Sequence, residues 1–171
     1  MVPYKRVELA VEAFTQLGLP LKVVGEGPER ARLAAMAGPN IEFLGFVPEA
    51  DLPGLVSGCL ALIFPGEEDF GIVPVEAMAA GRPVIGLARG ALTESAVGGK
   101  TAVMFPEPTA VSLIDAVSRF RPGDFDPAKL SKHAAKFSKA RFKKEFTGFV
   151  AARLEEAGAG LAGKGSGRKR R

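Results

Sequence analysis

The sequence predicts an α/β domain, a parallel sheet with helices on both faces. Three observations lead there. Short apolar runs of strand length alternate with stretches of helical period along most of the 171 residues. Such alternation implies parallel strands joined by crossover helices that cover both sheet faces. Glycines and prolines punctuate the junctions between the two kinds of segment.

Leu9, Ala10, Ala13, Phe14 and Leu17 recur at helical spacing, so Arg6 to Leu17 reads as an amphipathic helix. Leu21 to Val24 is a short strand ended by Gly25, and Pro28 opens a helix running to about Ala37. Ile41 to Leu44 is the second strand, and Asp51 lies near the start of a short helix that runs towards Ser57. Ala61 to Phe64 is the third strand, stopped by Pro65-Gly66. The helix from Ile72 to about Ala80 is apolar nearly all round, which predicts burial. Gly81 fits its C-terminal cap, and Pro83 prevents it from resuming. Val84 to Leu87 and Ala102 to Phe105 are the fourth and fifth strands. Thr109 to Phe120 is a helix with an apolar stripe through Val111, Leu113, Ile114 and Val117. Two helices follow, near Ala128 to Phe137 and Lys139 to Glu156. The expected organisation is one domain over residues 1–157 and a disordered basic tail over 158–171.

Composition narrows the class. Hydrophobic residues make up 47% and charged residues 25%, as in soluble globular chains. The net charge of +4 is a property of the tail, where Lys164, Arg168, Lys169, Arg170 and Arg171 fall. Without those five, 18 basic residues face 19 acidic ones, so no nucleic-acid-binding face is expected on the body. Cys59 is the only cysteine, sits among Leu55, Val56 and Leu60, and reads as a small core residue. A lone cysteine, no apolar run of membrane-spanning length and no signal-peptide core at the start together read as a cytoplasmic protein. His133 reads as a solvated surface histidine. No His or Cys cluster points to zinc, and no Gly-x-x-x-x-Gly-Lys-Ser/Thr run points to a P-loop.

In parallel sheets ligands bind at the carboxyl ends of the strands. The loops at those ends are Gly25 to Pro28, Phe46 to Pro48, Pro65 to Gly71 and Ala88 to Glu94. The most informative stretch is Phe64-Pro-Gly-Glu-Glu-Asp-Phe-Gly-Ile-Val-Pro-Val-Glu-Ala-Met. A strand ends, an acidic loop follows, and a helix begins near Gly71, where unpaired N–H groups favour phosphate. Gly71 lets a ligand approach the backbone. Glu76 falls one turn into that apolar helix, where a carboxylate is costly without a partner. A ribose donating to both oxygens would supply one.

Glu68-x7-Glu76, with Phe70-Gly71 inside it and Ala79-Ala80-Gly81-Arg82-Pro83-Val84-Ile85 after it, resembles the signature of the retaining GT-B glycosyltransferases. These are the group 1 enzymes, sucrose-synthase-like and mannosyltransferase-like. The resemblance implies a Rossmann-like domain, the C-terminal half of a GT-B fold, that binds a nucleotide-sugar donor. By position it makes Glu76 the ribose ligand and places Glu68, the catalytic candidate, beside the transferred sugar. It assigns the pyrophosphate to the backbone after Phe70, at Gly71 and Ile72. Val2-Pro3-Tyr4-Lys5-Arg6 resembles the segment whose lysine pairs with that pyrophosphate, which makes Lys5 the candidate. Gly25-Glu26-Gly27-Pro28 resembles the family's G-x-G-P loop, bringing in Gly25 and Gly27, although any strand-to-helix turn favours those residues. Leu44-Gly45-Phe46-Val47-Pro48 resembles the loop that packs on the base, through Val47. The likeness runs from Val2 to Arg119, with a looser match through Phe142 to Phe146. It implies no metal and no cofactor, since the donor is a substrate and helix dipole and basic residues carry the charge.

Several family features have no counterpart here. The family's arginine five positions before the lysine would precede Met1, and so would the first strand of its sheet and its acceptor-binding N-terminal domain. We therefore expect Met1 to be a misplaced start or a break in a longer gene. The partners implied are the nucleotide-sugar donor, that absent acceptor domain and, for the full-length enzyme, a peripheral membrane contact. Ala91 and Ala102 stand where the family commonly has glycine, and Ala91 is expected to perturb the loop facing the sugar. Glu94 in that loop reads as a helix start, a cap or a surface residue. The sequence does not name sugar, base or acceptor; mannosyl transfer from a GDP-mannose donor is what this style of Phe-Pro-Gly-Glu-Glu-Asp-Phe-Gly suggests. Three rivals stand beside a transferase. One is a catalytically incomplete fragment that binds a nucleotide sugar without turnover. Another is a sugar-nucleotide epimerase-like domain. The third, a dinucleotide-dependent oxidoreductase, lacks its Gly-x-Gly-x-x-Gly after a first strand.

Overall fold

Arg6 takes a left-handed backbone conformation (φ 52°), the only non-glycine residue with positive φ among those described. It separates a 3-10 turn, Pro3–Lys5, from the first helix, α1, Val7–Leu17. The helix therefore begins one residue later than its apolar spacing predicts. The computed structural model describes residues 1–164, with side chains to residue 157. Two units make up the chain, Met1–Ala135 and Lys136–Arg171.

In the first unit α1 is followed by β1 Leu21–Val24, α2 Arg30–Met36, β2 Ile41–Gly45, α3 Leu52–Gly58, β3 Leu62–Phe64 and α4 Ile72–Ala79. Then come β4 Val84–Leu87, α5 Ala91–Ser95, β5 Ala102–Phe105, α6 Ala110–Arg119 and α7 Pro127–Ala134. Each junction has a local cause. Gly18 and Gly81 supply the left-handed turns that end α1 and follow α4. After α4 the amide of Arg82 reaches back to the Ala77 carbonyl, 2.8 Å away, and Gly81 to Met78, 3.0 Å, so the last carbonyls are satisfied. Thr109 caps α6 by accepting from the Ser112 amide, and Asp126 caps α7. Such caps are worth about 1 kcal/mol each.

All strand pairings are parallel, as expected. They form two sheets rather than one, β1-β2 and β3-β4-β5. β1 and β3 each have a neighbour on one side only.

Burial follows the two-residue period of the strands. Ile85, Leu87 and Phe105 face one way and join Ala10, Ala13 and Phe14 of α1 and Leu113 of α6. Phe64, Val84 and Ala102 face the other way and join Ala77 and Met78 of α4 and Leu130 of α7. β4 is buried along its whole length because both faces are covered.

Two helical expectations need correction. The buried stripe of α6 runs through Ala110, Leu113 and Ala116, while Val111 points outward and is 74% exposed. In α4 only Pro74, Ala77 and Met78 are buried; Ile72 and Val73 in its first turn are exposed. That turn stands at the open, carboxyl end of the sheet. His133 is partly buried, and its Nε2 lies 2.8 Å from the Ser95 carbonyl, tying α7 to α5. It is not the solvated histidine that its charged neighbours predict.

The second unit is a helix, α8, Lys139–Lys164. It runs eight residues past its expected end at Glu156, through Gly158 and Gly160. The remainder of the expected tail, residues 165–171, lies outside the described residues. Phe142 and Phe146 stack on one another at 5.6 Å, and Arg153 lies over the Phe149 ring. Among the described residues no helix is long and apolar enough to cross a membrane.

Candidate functional site

Two loops meet beyond the carboxyl ends of β3 and β4. The first, 65–71, carries Glu68 and ends at Gly71, the residue before α4. The second, 88–90, leads from β4 into α5. The Ala91 amide donates to the Glu68 carbonyl at 2.8 Å, so each loop fixes the other. This approach depends on Gly90. Its backbone (φ 55°, ψ −145°) belongs to a region that essentially only glycine occupies. A Cβ there would lie 2.6 Å from the Glu68 carbonyl oxygen.

The strained position is therefore Gly90, and Ala91 is the first residue of α5 with no positive φ. The positive φ on which the expected perturbation by Ala91 rested is therefore absent. Ala102 lies within β5 and is fully buried.

A third segment completes the site. Gly66 packs beneath the turn Pro3–Lys5, and a Cβ on it would come within 2.8 Å of the carbonyl oxygens of Tyr4 and Lys5. The turn can settle there only because residue 66 has no side chain. Settled, it aims Lys5 at the acidic loop, and Lys5 Nζ donates to Glu68 Oε1. This ion pair joins residues 63 positions apart and is partly buried, with the Lys5 side chain 37% and that of Glu68 16% exposed. The Tyr4 ring flanks the ammonium, 5.4 Å from its centroid. Lys5, Gly66 and Glu68 form part of the wall of a cavity of about 290 Å³, together with Val2, Val24, Phe64 and Val73.

Gly71 (φ 63°) starts α4 in the left-handed region, and no side chain caps the helix. The N–H groups of Ile72 and Val73 are therefore open to an anion, with the partial positive charge of the helix behind them, while Pro74 has none to offer. A Cβ on Gly71 would sit 3.0 Å from the Ala91 Cβ, so glycine is favoured on packing grounds as well. Phe70 is 79% exposed, and Ile72 is exposed as well.

Glu76 is exposed. The expectation of a desolvated carboxylate in need of a partner is thus corrected, because α4 turns that face away from the core formed by Ala77 and Met78. Glu76 makes no ion pair with a described residue.

The remaining predicted residues belong to the β1 and β2 loops. Gly25 (φ 104°) and Gly27 (φ 145°) both need a positive φ, and a Cβ on Gly27 would overlap Met1. The Gly25 amide donates to the Gly45 carbonyl at 2.7 Å and so links the two loops. Val47 is half-buried beside Phe46, which is strongly exposed. Lys5 and Glu68 are thus brought together on the cavity wall, whereas Gly25, Gly27, Val47, Phe70, Gly71, Ile72 and Glu76 lie outside it. Gly66 and Gly90 were not singled out from the sequence. Only the Pro65-Gly66 dipeptide and the family's usual glycine at Ala91 pointed towards them. Among the described residues, no group of three His, Cys, Asp or Glu side chains is arranged to hold a metal.

A sequence profile described as glycosyl transferases group 1 matches residues 1–141. A GDP-mannose-dependent alpha-(1-6)-phosphatidylinositol dimannoside mannosyltransferase of Mycobacterium tuberculosis is 36% identical over 117 residues, 64% of this chain and 31% of the relative. The D-rhamnosyltransferase WbpZ of Pseudomonas aeruginosa is 26% identical over 152 residues, 84% of this chain and 39% of its own length. Among solved structures, the sucrose-phosphate synthase from Thermosynechococcus elongatus superposes with a TM-score of 0.75 at 26% identity, over 91% of this chain and 44% of that one. Anabaena HepE in complex with UDP and glucose superposes with a TM-score of 0.72 at 20% identity, over 88% and 45%, a likeness of fold. The chain spans about a third of the length of the curated relatives and under half of these structures.

Proposed function

The chain belongs to the group 1 glycosyl transferases, and from that premise we propose that it is the donor-binding domain of a retaining enzyme that transfers a sugar from a nucleoside diphosphate to an acceptor. The observation that carries this reading is the meeting of Lys5 and Glu68 on a cavity wall that also includes Val73 of the first turn of α4. An ammonium and the N–H groups of Ile72 and Val73 suit a diphosphate, both in the donor and as it departs with its negative charge. Glu68 stands next to that anion site, where a carboxylate accepts hydrogen bonds from sugar hydroxyls. Glu76, exposed one turn along α4, is the ribose ligand in this scheme. The α4 amides from Gly71 and Ile72 receive phosphate oxygens, and Val47 with the Gly25–Gly27 loop supports the base. The positive charge comes from Lys5 and the helix, so the scheme requires no metal.

The donor in this proposal is GDP-mannose. The GDP-mannose-dependent relative supports it, and the UDP named for Anabaena HepE makes a uridine donor the competing choice.

Calorimetric titration of the chain with GDP, UDP and ADP, alongside Glu76→Ala, tests the proposal. Saturable binding of GDP that drops at least about tenfold in the variant is expected, since a hydrogen bond to a charged group contributes about 1.5–3 kcal/mol. A folded chain that takes up none of the three nucleotides would sink the donor-site reading. Hydrolysis or transfer of GDP-mannose separates an enzyme from a binding module.

A further inference from the structure

We propose that the Lys5–Glu68 ion pair is the resting lock of the site, and that an incoming diphosphate takes Lys5 from Glu68 and frees that carboxylate to face the sugar. The inference rests on the donor-site reading and adds an order of events to it. Lys5 is the only described cation paired with Glu68. The neighbouring cations are engaged elsewhere, Arg6 with Glu8 and Arg89 with Glu107. A carboxylate and a diphosphate compete for the same ammonium, because both are anionic acceptors of charge-assisted hydrogen bonds.

The exchange is local. Lys5 is held by its backbone, which rests on Gly66, so its side chain can swing while its Cα stays fixed. Glu68 is likewise held by its backbone, through the Ala91 amide. Two rigid anchors thus carry two movable charges on one cavity wall. In the resting state each charge neutralises the other. When a diphosphate binds, its negative charge replaces that of the carboxylate at Lys5, and the carboxylate needs new donors. Sugar hydroxyls are such donors, and they arrive on the same ligand. A nucleoside diphosphate without sugar therefore leaves Glu68 unpaired beside it, whereas the nucleotide sugar satisfies it. The lock accordingly favours the intact donor over the spent nucleotide.

The test is a double-mutant cycle read by titration with inorganic pyrophosphate and with GDP, using wild type, Glu68→Gln, Lys5→Met and the double variant, each checked for folding by circular dichroism. Removing the competing carboxylate should tighten both ligands about two- to fivefold, the range for a partly exposed pair. In the Lys5→Met background the same Glu68→Gln change should leave affinity unchanged, since no lock remains to open. Equal tightening in both backgrounds would mean simple charge repulsion by Glu68 and would overturn the lock. So would unchanged or weaker binding by Glu68→Gln. Pyrophosphate binding with this coupling but no GDP binding leaves the exchange standing and removes the donor-site reading. Binding of neither ligand by the folded wild type removes both.

Discussion

The backbone amide of Ala91 donates to the carbonyl of Glu68, 2.8 Å away, and this bond joins the loop after β3 to the loop after β4. It positions a predicted catalytic carboxylate through its main chain rather than its side chain. The side chain is thereby left to pair with Lys5.

Gly90→Ala tests how much the site depends on that contact. The variant must place a Cβ 2.6 Å from the Glu68 oxygen and adopt a backbone that glycine alone tolerates. A loss of at least about 1–3 kcal/mol in urea-unfolding free energy is expected, together with weaker nucleotide binding. Gly98→Ala is the control. It has open space around it and no positive φ, so its change should stay within about 0.5 kcal/mol. Equal stability of the two variants would show that the loops are not locked together.

Glu76→Ala should separate binding from stability. An exposed carboxylate without an ion pair contributes little to folding, so the unfolding free energy should change by less than about 0.5 kcal/mol. Nucleotide affinity should fall about tenfold or more if the residue holds ribose. A large loss of stability would instead return Glu76 to a structural role within α4.

The open edges of β1 and β3 predict a pattern of amide exchange. The Leu21 amide donates to the Asn40 carbonyl and that of Gly25 to Gly45, both on the β2 side, and the Leu62 amide donates to Pro83 on the β4 side. Alternate residues of a parallel strand turn their main-chain groups to opposite edges. Lys22, Val24 and Ile63 therefore direct theirs away from β2 and β4. Hydrogen–deuterium exchange followed by NMR should find these three amides fast and those of Val84 to Leu87, flanked by strands on both sides, slow. Uniform protection across β1 and β3 would contradict two separate sheets.

Cys59 supplies a pH-dependent prediction. Burial at the end of α3 pushes its thiol above the ordinary range, and Arg82 pulls in the opposite direction with smaller effect. The folded protein thus holds the proton more tightly than the unfolded chain. Alkylation near pH 8 should be slower in the native protein than in urea, because only the thiolate reacts. The linked stability is complete below the unfolded thiol's pKa and declines as pH rises towards the folded value. Arg82→Gln should slow alkylation further. Native and denatured rates that coincide would show the thiol to be unshifted.

Much of the fold was legible because its signals are local. Short apolar runs placed all five strands and helical spacing the longer helices, and Gly81 and Pro83 marked the end of α4 through backbone conformation. The Glu68-x7-Glu76 spacing with Phe70-Gly71 was sufficient to identify the family, since a loop-to-helix turn with two carboxylates is written in consecutive residues. Periodicity misjudged Val111 and the first turn of α4, because an apolar residue records what a helix is able to bury and not what stands opposite it. His133 was misjudged for the related reason that its partner, the Ser95 carbonyl, comes from another element.

The sequence by itself thus determined the α/β class, the order of elements and the family, all of which depend on neighbours within one segment. Only the tertiary structure decided that the strands form two sheets, that Glu76 is exposed, and that Lys5 meets Glu68 across 63 residues over a side-chain-free Gly66. Those outcomes depend on which backbones approach one another, and contacts between distant segments leave no period in a single chain.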